Sequence, residues 1–372
     1  MLITQTCIYS VILFLLLSGS VSADEQELRA LMNMSFSELS NVEIKLTNLK
    51  RTKLENSPAS ITLITRQQIE LTPARNILDL LETYVPGLSF YNGQTSGPEI
   101  RIRGLGQRNF NTLLLINGRQ VNQKSYQGSM VELRNWDISD IERIEVVRGP
   151  GSVTYGAGAI SGVINLITRN AESIDGVRVG IDYNDIYQGK GLQFSYGNQW
   201  NDSSFFFHGS VQHTDGVEDP KIFQSLRNGQ IGYKGDTTVF SGNDGNPVQN
   251  YYGDFDSRPQ LKLFADYNLD EEWRFWSRYT NSGQTNAATQ RLSLGSFQDF
   301  RTFEDRHFIA TVENNHTVNS DFSISSIFSF DSEEYQEFRA SNADISHLHE
   351  LNRRYNFSEN ELFLRSIVTY QQ

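Results

Sequence analysis

The feature that most constrains this chain is a period-2 alternation running through its C-terminal half. Val177, Val179, Ile181 and Tyr183 stand at every second position, with Arg178, Gly180 and Asp182 between them. The same beat returns with Leu192, Phe194 and Tyr196, then with Phe205, Phe207 and Val211, and with Leu261, Leu263 and Tyr267. It continues through Trp273, Phe275 and Tyr279, through Phe308, Ala310 and Val312, through Phe322, Ile324, Phe328 and Phe330, and ends at Leu362, Leu364, Val368 and Tyr370. Alternation of this kind marks strands with one apolar face. The segments are about 8 to 12 residues long, enough for a tilted strand to cross a bilayer. Connections sharpen the point. After a short turn near Gly189, links of roughly five residues (198–202, 268–271, 317–320) alternate with links of roughly 25 to 45 (214–258, 281–305, 332–359). Short turns on one side and long polar loops on the other form the arrangement of an outer-membrane β-barrel. A soluble β-sandwich is the alternative, but it rarely needs three polar loops of this length on one end.

Composition then excludes several classes. The chain of 372 residues has a net charge of −12, which argues against a nucleic-acid partner. Its single cysteine, Cys7, rules out a disulfide scaffold or a cysteine metal site. Mean hydropathy is −0.44 although 12% of residues are aromatic. The aromatics are unevenly spread: 33 lie in 171–372 and only 7 in 50–170, so a domain boundary falls near Asn170. Alternation predicts that the aromatics face lipid.

The N-terminus reads as an export signal over residues 1–23. Val11 to Leu17 is apolar, and Val21-Ser22-Ala23 offers a cleavage site before Asp24-Glu25. No Lys or Arg precedes the apolar core, and an uncleaved anchor helix is the alternative. Cleavage would remove Cys7 and leave a mature chain without cysteine, as suits an oxidising compartment.

Residues 51–170 read as a compact α+β unit. Ser60 to Thr65 is a short strand, and Arg66 to Glu70 and Ile77 to Thr83 are helical until Pro86-Gly87. Ile100 to Gly104 is a strand. Thr112 to Ile116 runs into Asn117-Gly118, a hairpin turn signal, and Ile138 to Val147 alternates again. The glycines at 149, 151, 156, 158 and 162 lack the Gly-Lys-Ser/Thr of a phosphate loop. Tight turns and close packing against the barrel wall account for them.

Four motifs stand in order here: Asp79-Leu80-Leu81 with Val85-Pro86-Gly87-Leu88; Ile102-Arg103-Gly104; Leu115-Ile116-Asn117-Gly118; and Ile141 to Pro150 followed by Tyr155 to Thr168. Together they closely resemble the plug domain of TonB-dependent outer-membrane receptors, over residues 42 to 170. The resemblance implies a plug filling the lumen of a barrel of about 22 strands. Only about eight strands fit in 171–372, so we expect an incomplete barrel and a chain that is a piece of a longer protein. The implied fold class is an α+β plug domain followed by antiparallel transmembrane β-barrel strands. The expected domains are 1–23 signal peptide, 24–50 N-terminal extension, 51–170 plug and 171–372 barrel.

The resemblance also implies roles. Arg103 and Arg148 should meet barrel-wall carboxylates and hold the plug, with Glu142 and Glu145 in the same network. Val42-Glu43-Ile44-Lys45-Leu46-Thr47 is the candidate TonB box, pairing by strand addition with the periplasmic part of TonB and its inner-membrane energising complex. The outward plug loops place Tyr91, Asn92, Gln94, Gln123, Tyr126 and Gln127 where a large polar ligand would stack and hydrogen-bond. His347, His349 and Glu350 in a long loop are more simply solvated than metal-binding. No nucleophile–histidine–acid set stands at a recognisable spacing, so neither an enzyme nor a cofactor is expected. The implied function is energised uptake of a scarce bulky ligand across the outer membrane of a Gram-negative cell, with a ferric siderophore the leading candidate. A vitamin B12-type or oligosaccharide importer, or a binding-only surface or sensing receptor, are the alternatives.

Overall fold

The computed structural model describes residues 60–214, 259–286 and 301–370, less short stretches at 75, 94–96, 105–108, 125–127, 134–136, 151–157, 186–188, 284, 320 and 340–351, together with a few short strands elsewhere. Of the candidate TonB box only Glu43–Ile44 is described, as a two-residue strand. Residues 1–42, and with them the expected signal, lie outside the described residues.

The plug is built around a five-stranded sheet. Its strands are β1 (Ser60–Ile64), β4 (Thr112–Ile116), β5 (Arg119–Gln120), β6 (Ile141–Arg148) and β7 (Gly162–Thr168), in the order β1-β6-β7-β4-β5. β4 pairs β7 in parallel and is buried along its whole length, as its unbroken Thr-Leu-Leu-Leu-Ile run requires. Asn117 and Gly118 both adopt positive φ between β4 and β5, the geometry of a type I′ turn. α1 (Arg66–Leu71) begins at a capping box in which Thr65 and Gln68 exchange hydrogen bonds, and α2 (Ile77–Tyr84) is capped by Asn76. β2 (Leu88–Gly93) and β3 (Gly97–Ile102) form a separate hairpin, and α3 (Met130–Leu133) is a single turn. Ile64, Leu80, Leu81, Ile100, Leu114, Ile144 and Ile164 close the core. Gly162 lies against the Val147 carbonyl and Ile102, so its close packing is within the plug and not on the wall as expected.

Eight long strands follow: β8 (Gly176–Asn184), β9 (Gly189–Trp200), β10 (Ser203–Thr214), β11 (Gln260–Asn268), β12 (Trp273–Asn281), β13 (Arg301–Thr317), β14 (Phe322–Arg339) and β15 (Asn352–Tyr370). Each pairs antiparallel with the next, and the sheet does not close among the described residues. The strand count is as expected, but β13, β14 and β15 run to 17, 18 and 19 residues, so part of the expected 332–359 loop is strand. In this upper part β14 carries Glu333, Glu334, Gln336 and Glu337 on both faces. Alternation therefore stops signalling strand although pairing continues.

One face of the wall presents Val177, Ile181, Leu192, Phe194, Phe275, Phe330, Leu364 and Tyr370 outward. Stacked Tyr267–Phe275 and Trp273–Phe275 pairs sit near the short turns, where an interfacial girdle belongs. The inner face is not wholly polar. Phe206, Phe264, Trp276 and Ile309 point inward, are buried, and share one packed cluster with the plug core. The expectation that the aromatics face lipid is corrected here: an apolar collar on the wall clamps the plug.

Candidate functional site

The chemistry of this chain sits where plug meets wall, in two separate patches. The first gathers Glu132 of α3 with Asp137 and Asp140, just before β6, all almost completely buried. Opposite them, inward positions of β10, β11 and β12 supply His208, Lys262 and Arg278. Arg278 donates to Glu132 and, at 3.4 Å, to Asp140. Thr280 adds a bond to Glu132 at 3.1 Å. Lys262 Nζ donates to Asp140 at 2.9 Å and lies 3.8 Å from Asp137. His208 Nε2 bonds Asp137 at 2.8 Å, and Ser210 donates to the same oxygen at 2.6 Å. His307, from β13, bonds Asp331 at 3.0 Å and lies 4.0 Å from Glu132.

Burial alone would raise the carboxyl pKa values, since low dielectric disfavours charge. Here the wall cations outweigh it. Arg278, aided by Lys262 and His307, brings Glu132 down to about 2. Lys262 and His208 hold Asp137 well below the usual carboxylate range. Both groups are therefore ionised throughout the physiological range.

Ser195 Oγ lies 2.9 Å from His208 Nδ1, so Ser195, His208 and Asp137 form a hydrogen-bonded Ser–His–Asp chain. All three are sealed between plug and wall. The chain fixes the imidazole's orientation within the interlock and leaves the serine oxygen out of reach of solvent.

The second patch reverses the signs. Arg119 of β5 donates to Glu361 of β15 at 2.9 Å and lies 4.6 Å above the Phe363 ring. Lys124 pairs Glu361 at 2.8 Å, its backbone N–H donates to Glu359, and Gln123 donates to Glu333 at 2.8 Å. Arg119, Gln123 and Glu333 are as buried as the first patch, whereas Lys124 is 59% exposed and Glu361 35%, so water reaches only the Lys124–Glu361 part of this patch. Smaller contacts flank both. Arg178 of β8 pairs Glu70 of α1 at 3.0 Å. Gly197 of β9 lies so close to the plug-to-wall link that a Cβ there would meet the Ile174 carbonyl oxygen at 1.8 Å. At the short-turn end a polar cavity of about 860 Å³ separates plug from wall, lined by Asn117, Arg143, Thr168, Gln199, Asn268 and Arg274 among others.

The residues expected to lock the plug lie elsewhere. Arg103 is exposed at φ 54°, and Arg148 donates to the Pro86 carbonyl at 3.2 Å. Neither meets a wall carboxylate among the described residues. Glu142 pairs Arg169 at 3.5 Å, while Glu145 bonds Arg143 and Asn165, all within the plug. Gln123, expected in a ligand loop, is buried against the wall. Tyr91 and Asn92 lie on β2, and Gln94, Tyr126 and Gln127 fall outside the described residues, as do His347, His349 and Glu350. The interlock that sequence reasoning missed had one visible trace: Lys262 and Arg278 stand at lumen-facing positions of alternating strands. A full charge there must be matched by whatever fills the lumen.

An α+β domain clamped inside an antiparallel transmembrane wall defines a plugged outer-membrane barrel. Residues 53–163 match the family described as TonB-dependent Receptor Plug Domain. Over 112 residues the chain is 35% identical to the ferric enterobactin receptor of Pseudomonas aeruginosa, covering 27% of this chain and 15% of that protein. Over 110 residues it is 34% identical to the vitamin B12 transporter BtuB of Vibrio vulnificus, covering 29% and 17%. A solved ferric enterobactin receptor variant from P. aeruginosa superposes with a TM-score of 0.55 at 17% identity, covering 84% of this chain and 46% of that one. The ferric-catecholate import receptor Fiu of Escherichia coli K12 gives 0.52 at 13%, covering 86% and 47%. At these identities the superpositions show the fold alone. This chain is similar to the TonB-dependent receptors of the Gram-negative outer membrane, in a plug domain over residues 53–163 and in the fold of the strands that follow it. It spans under a fifth of the curated relatives' length in the matched region and under half of those two solved structures.

Proposed function

We propose that the protein imports a ferric siderophore across the outer membrane, with TonB supplying the work. The observation that carries this reading is the buried interlock. A plug held in the lumen by charged groups shut off from water is a closed gate that needs an outside input to move. The outer membrane has no nucleotide supply, so that input must come from the periplasm. Val42 to Thr47 pairs with TonB as an added strand in this reading. Arg103 and Arg148 hold the plug to further wall carboxylates, a role supported by the buried Arg148 Nε, which has no partner among the described residues. Tyr91, Asn92, Gln94, Tyr126 and Gln127 meet the ligand from the outward side. Ferric siderophores lead because three named relatives are ferric enterobactin receptors. The vitamin B12 transporter among the relatives keeps a cobalamin in view as a second reading.

The test is uptake of radio-iron as ferric enterobactin, with cobalamin in parallel, in cells expressing the intact receptor with and without residues 42–47. Binding that persists while uptake drops to background supports the reading. Uptake indifferent to the deletion would overturn TonB dependence, and cobalamin uptake alone would move the substrate to the second reading.

A further inference from the structure

One histidine stands between two carboxylates, one on the wall and one on the plug. Nε2 of His307, on β13, lies 3.0 Å from each carboxylate oxygen of Asp331 on β14. Its Nδ1 lies 4.0 Å from Glu132 Oε1 on α3 and makes no hydrogen bond among the described residues. The side chain is 2% exposed. We infer that His307 is a proton-operated catch on the plug: charged, its ring draws Glu132 to the wall, and neutral, it lets Glu132 go. Nothing in the catch depends on the ligand carried.

A neutral imidazole has one N–H and one lone pair. Asp331 takes the N–H at Nε2, which turns the Nδ1 lone pair toward Glu132. Glu132 is ionised across the physiological range, so a neutral ring sets that lone pair against a negative charge where water is excluded. It also leaves a buried nitrogen without a partner. A second proton removes both costs. It puts an N–H on Nδ1 and a full positive charge between Asp331 and Glu132. The surrounding groups favour that charge. Asp305 lies two positions along β13, and Glu333 stands opposite His307 on β14, with Glu359 of β15 beyond it. From the plug, Gln123 donates to Glu333. The cations nearby are Arg278 of β12, engaged by Glu132 and Asp140, and Lys262 of β11, engaged by Asp140. Both are already matched by plug carboxylates. His208, the other histidine of the interlock, differs. Ser195 donates to its Nδ1 and its Nε2 donates to Asp137, so that ring is satisfied without a further proton. Docking of Glu132 therefore holds a proton on His307, and by linkage a rise in pH weakens the docking.

The experiment is amide hydrogen exchange of residues 129–140 in the intact receptor in detergent, read by mass spectrometry and corrected for the intrinsic rate at each pH. From about pH 6 to about pH 8.5, protection in the wild type should fall by about five-fold or more. In His307→Gln it should stay within about two-fold over the same range, because an amide has no such proton to lose. If that variant does not fold, Asp331→Asn takes its place. Asparagine still offers Nε2 an acceptor but lacks the charge that holds the second proton, so the fall should shrink by about half or more. Wild-type protection that does not move with pH overturns the inference. So does either variant if it keeps the full wild-type fall, because another group would then carry the proton.

Discussion

The two plug–wall patches bury the same kinds of group with opposite polarity and unequal access to water. In one the plug brings carboxylates to wall cations; in the other it brings cations to wall carboxylates. The partners in the first are at most about a twentieth exposed; in the second Arg119, Gln123 and Glu333 are buried to the same degree, and only the Lys124–Glu361 pair, at 59% and 35%, is open to water. Exposure decides what each ion pair is worth. A screened pair contributes at most about 1 kcal/mol. A dry pair contributes little net, but losing one member strands the other in low dielectric at a cost of about 3–5 kcal/mol. The first patch is therefore less a source of net stability than a contact that is costly to break by halves.

That contrast breaks hardest at Arg278. Arg278→Met removes the guanidinium between Glu132 and Asp140 and leaves two buried carboxylates with Lys262 as their nearest full cation. Thermal unfolding in detergent should show a loss of about 3–5 kcal/mol. A loss below about 1 kcal/mol would mean that water enters the patch and that the distinction between the two is false. Asp137→Ala comes next. It leaves His208, Ser210 and Lys262 without their common acceptor, although Lys262 keeps Asp140. The expected loss is about 2–3 kcal/mol, read in the same melt.

How much of this was legible follows from the distance over which each signal acts. The wall strands β8 to β12 could be read from their period of two, because the outward face is largely apolar, although inward Phe206, Phe264 and Trp276 break the alternation of polarity. The upper halves of β13–β15 could not, because polar and charged residues stand on both faces there, with Glu304, Asp305, Glu333 and Gln336 buried among them, so polarity no longer alternates. Inward-facing Lys262 and Arg278 were visible as charges in need of partners. Their partners were not, because Glu132 and Asp140 lie more than a hundred residues earlier, and nothing local in either stretch says which plug carboxylates turn to the wall. The family resemblance filled that gap with Arg103 and Arg148, which the fold sets at another part of the plug. The Ser195–His208–Asp137 chain was hidden for the same reason: Ser195 and His208 come together by strand register, and Asp137 arrives by plug docking.

Acid should also separate the patches. Glu132 titrates at about 2 in the folded protein, against roughly 4.3 for a free glutamate. A lowered carboxyl pKa contributes stability that is complete above the unfolded value and is lost as pH falls through the folded one. Asp137 acts in the same direction. Stability measured by chemical denaturation should hold from pH 7 to about 5 and then fall steadily toward pH 2. In Arg278→Met that decline should be shallower, since Glu132 loses its main reason for a low pKa. A parallel decline in the variant would show that other carboxylates dominate.

The smallest effect belongs to Arg119. Arg119→Ala removes a guanidinium that pairs Glu361 and stacks on Phe363, but Glu361 is about one-third exposed and keeps Lys124. Water and Lys124 together absorb the change, so the expected loss is about 1 kcal/mol or less. Its salt dependence is more telling than its size. Raising the ionic strength from about 0.1 to 1 M shortens the Debye length from about 10 to 3 Å, which should shrink the Arg119 effect while leaving that of Arg278→Met nearly unchanged. A salt-sensitive Arg278 variant, or an Arg119 variant that costs as much as Arg278→Met, would place both patches in the same dielectric.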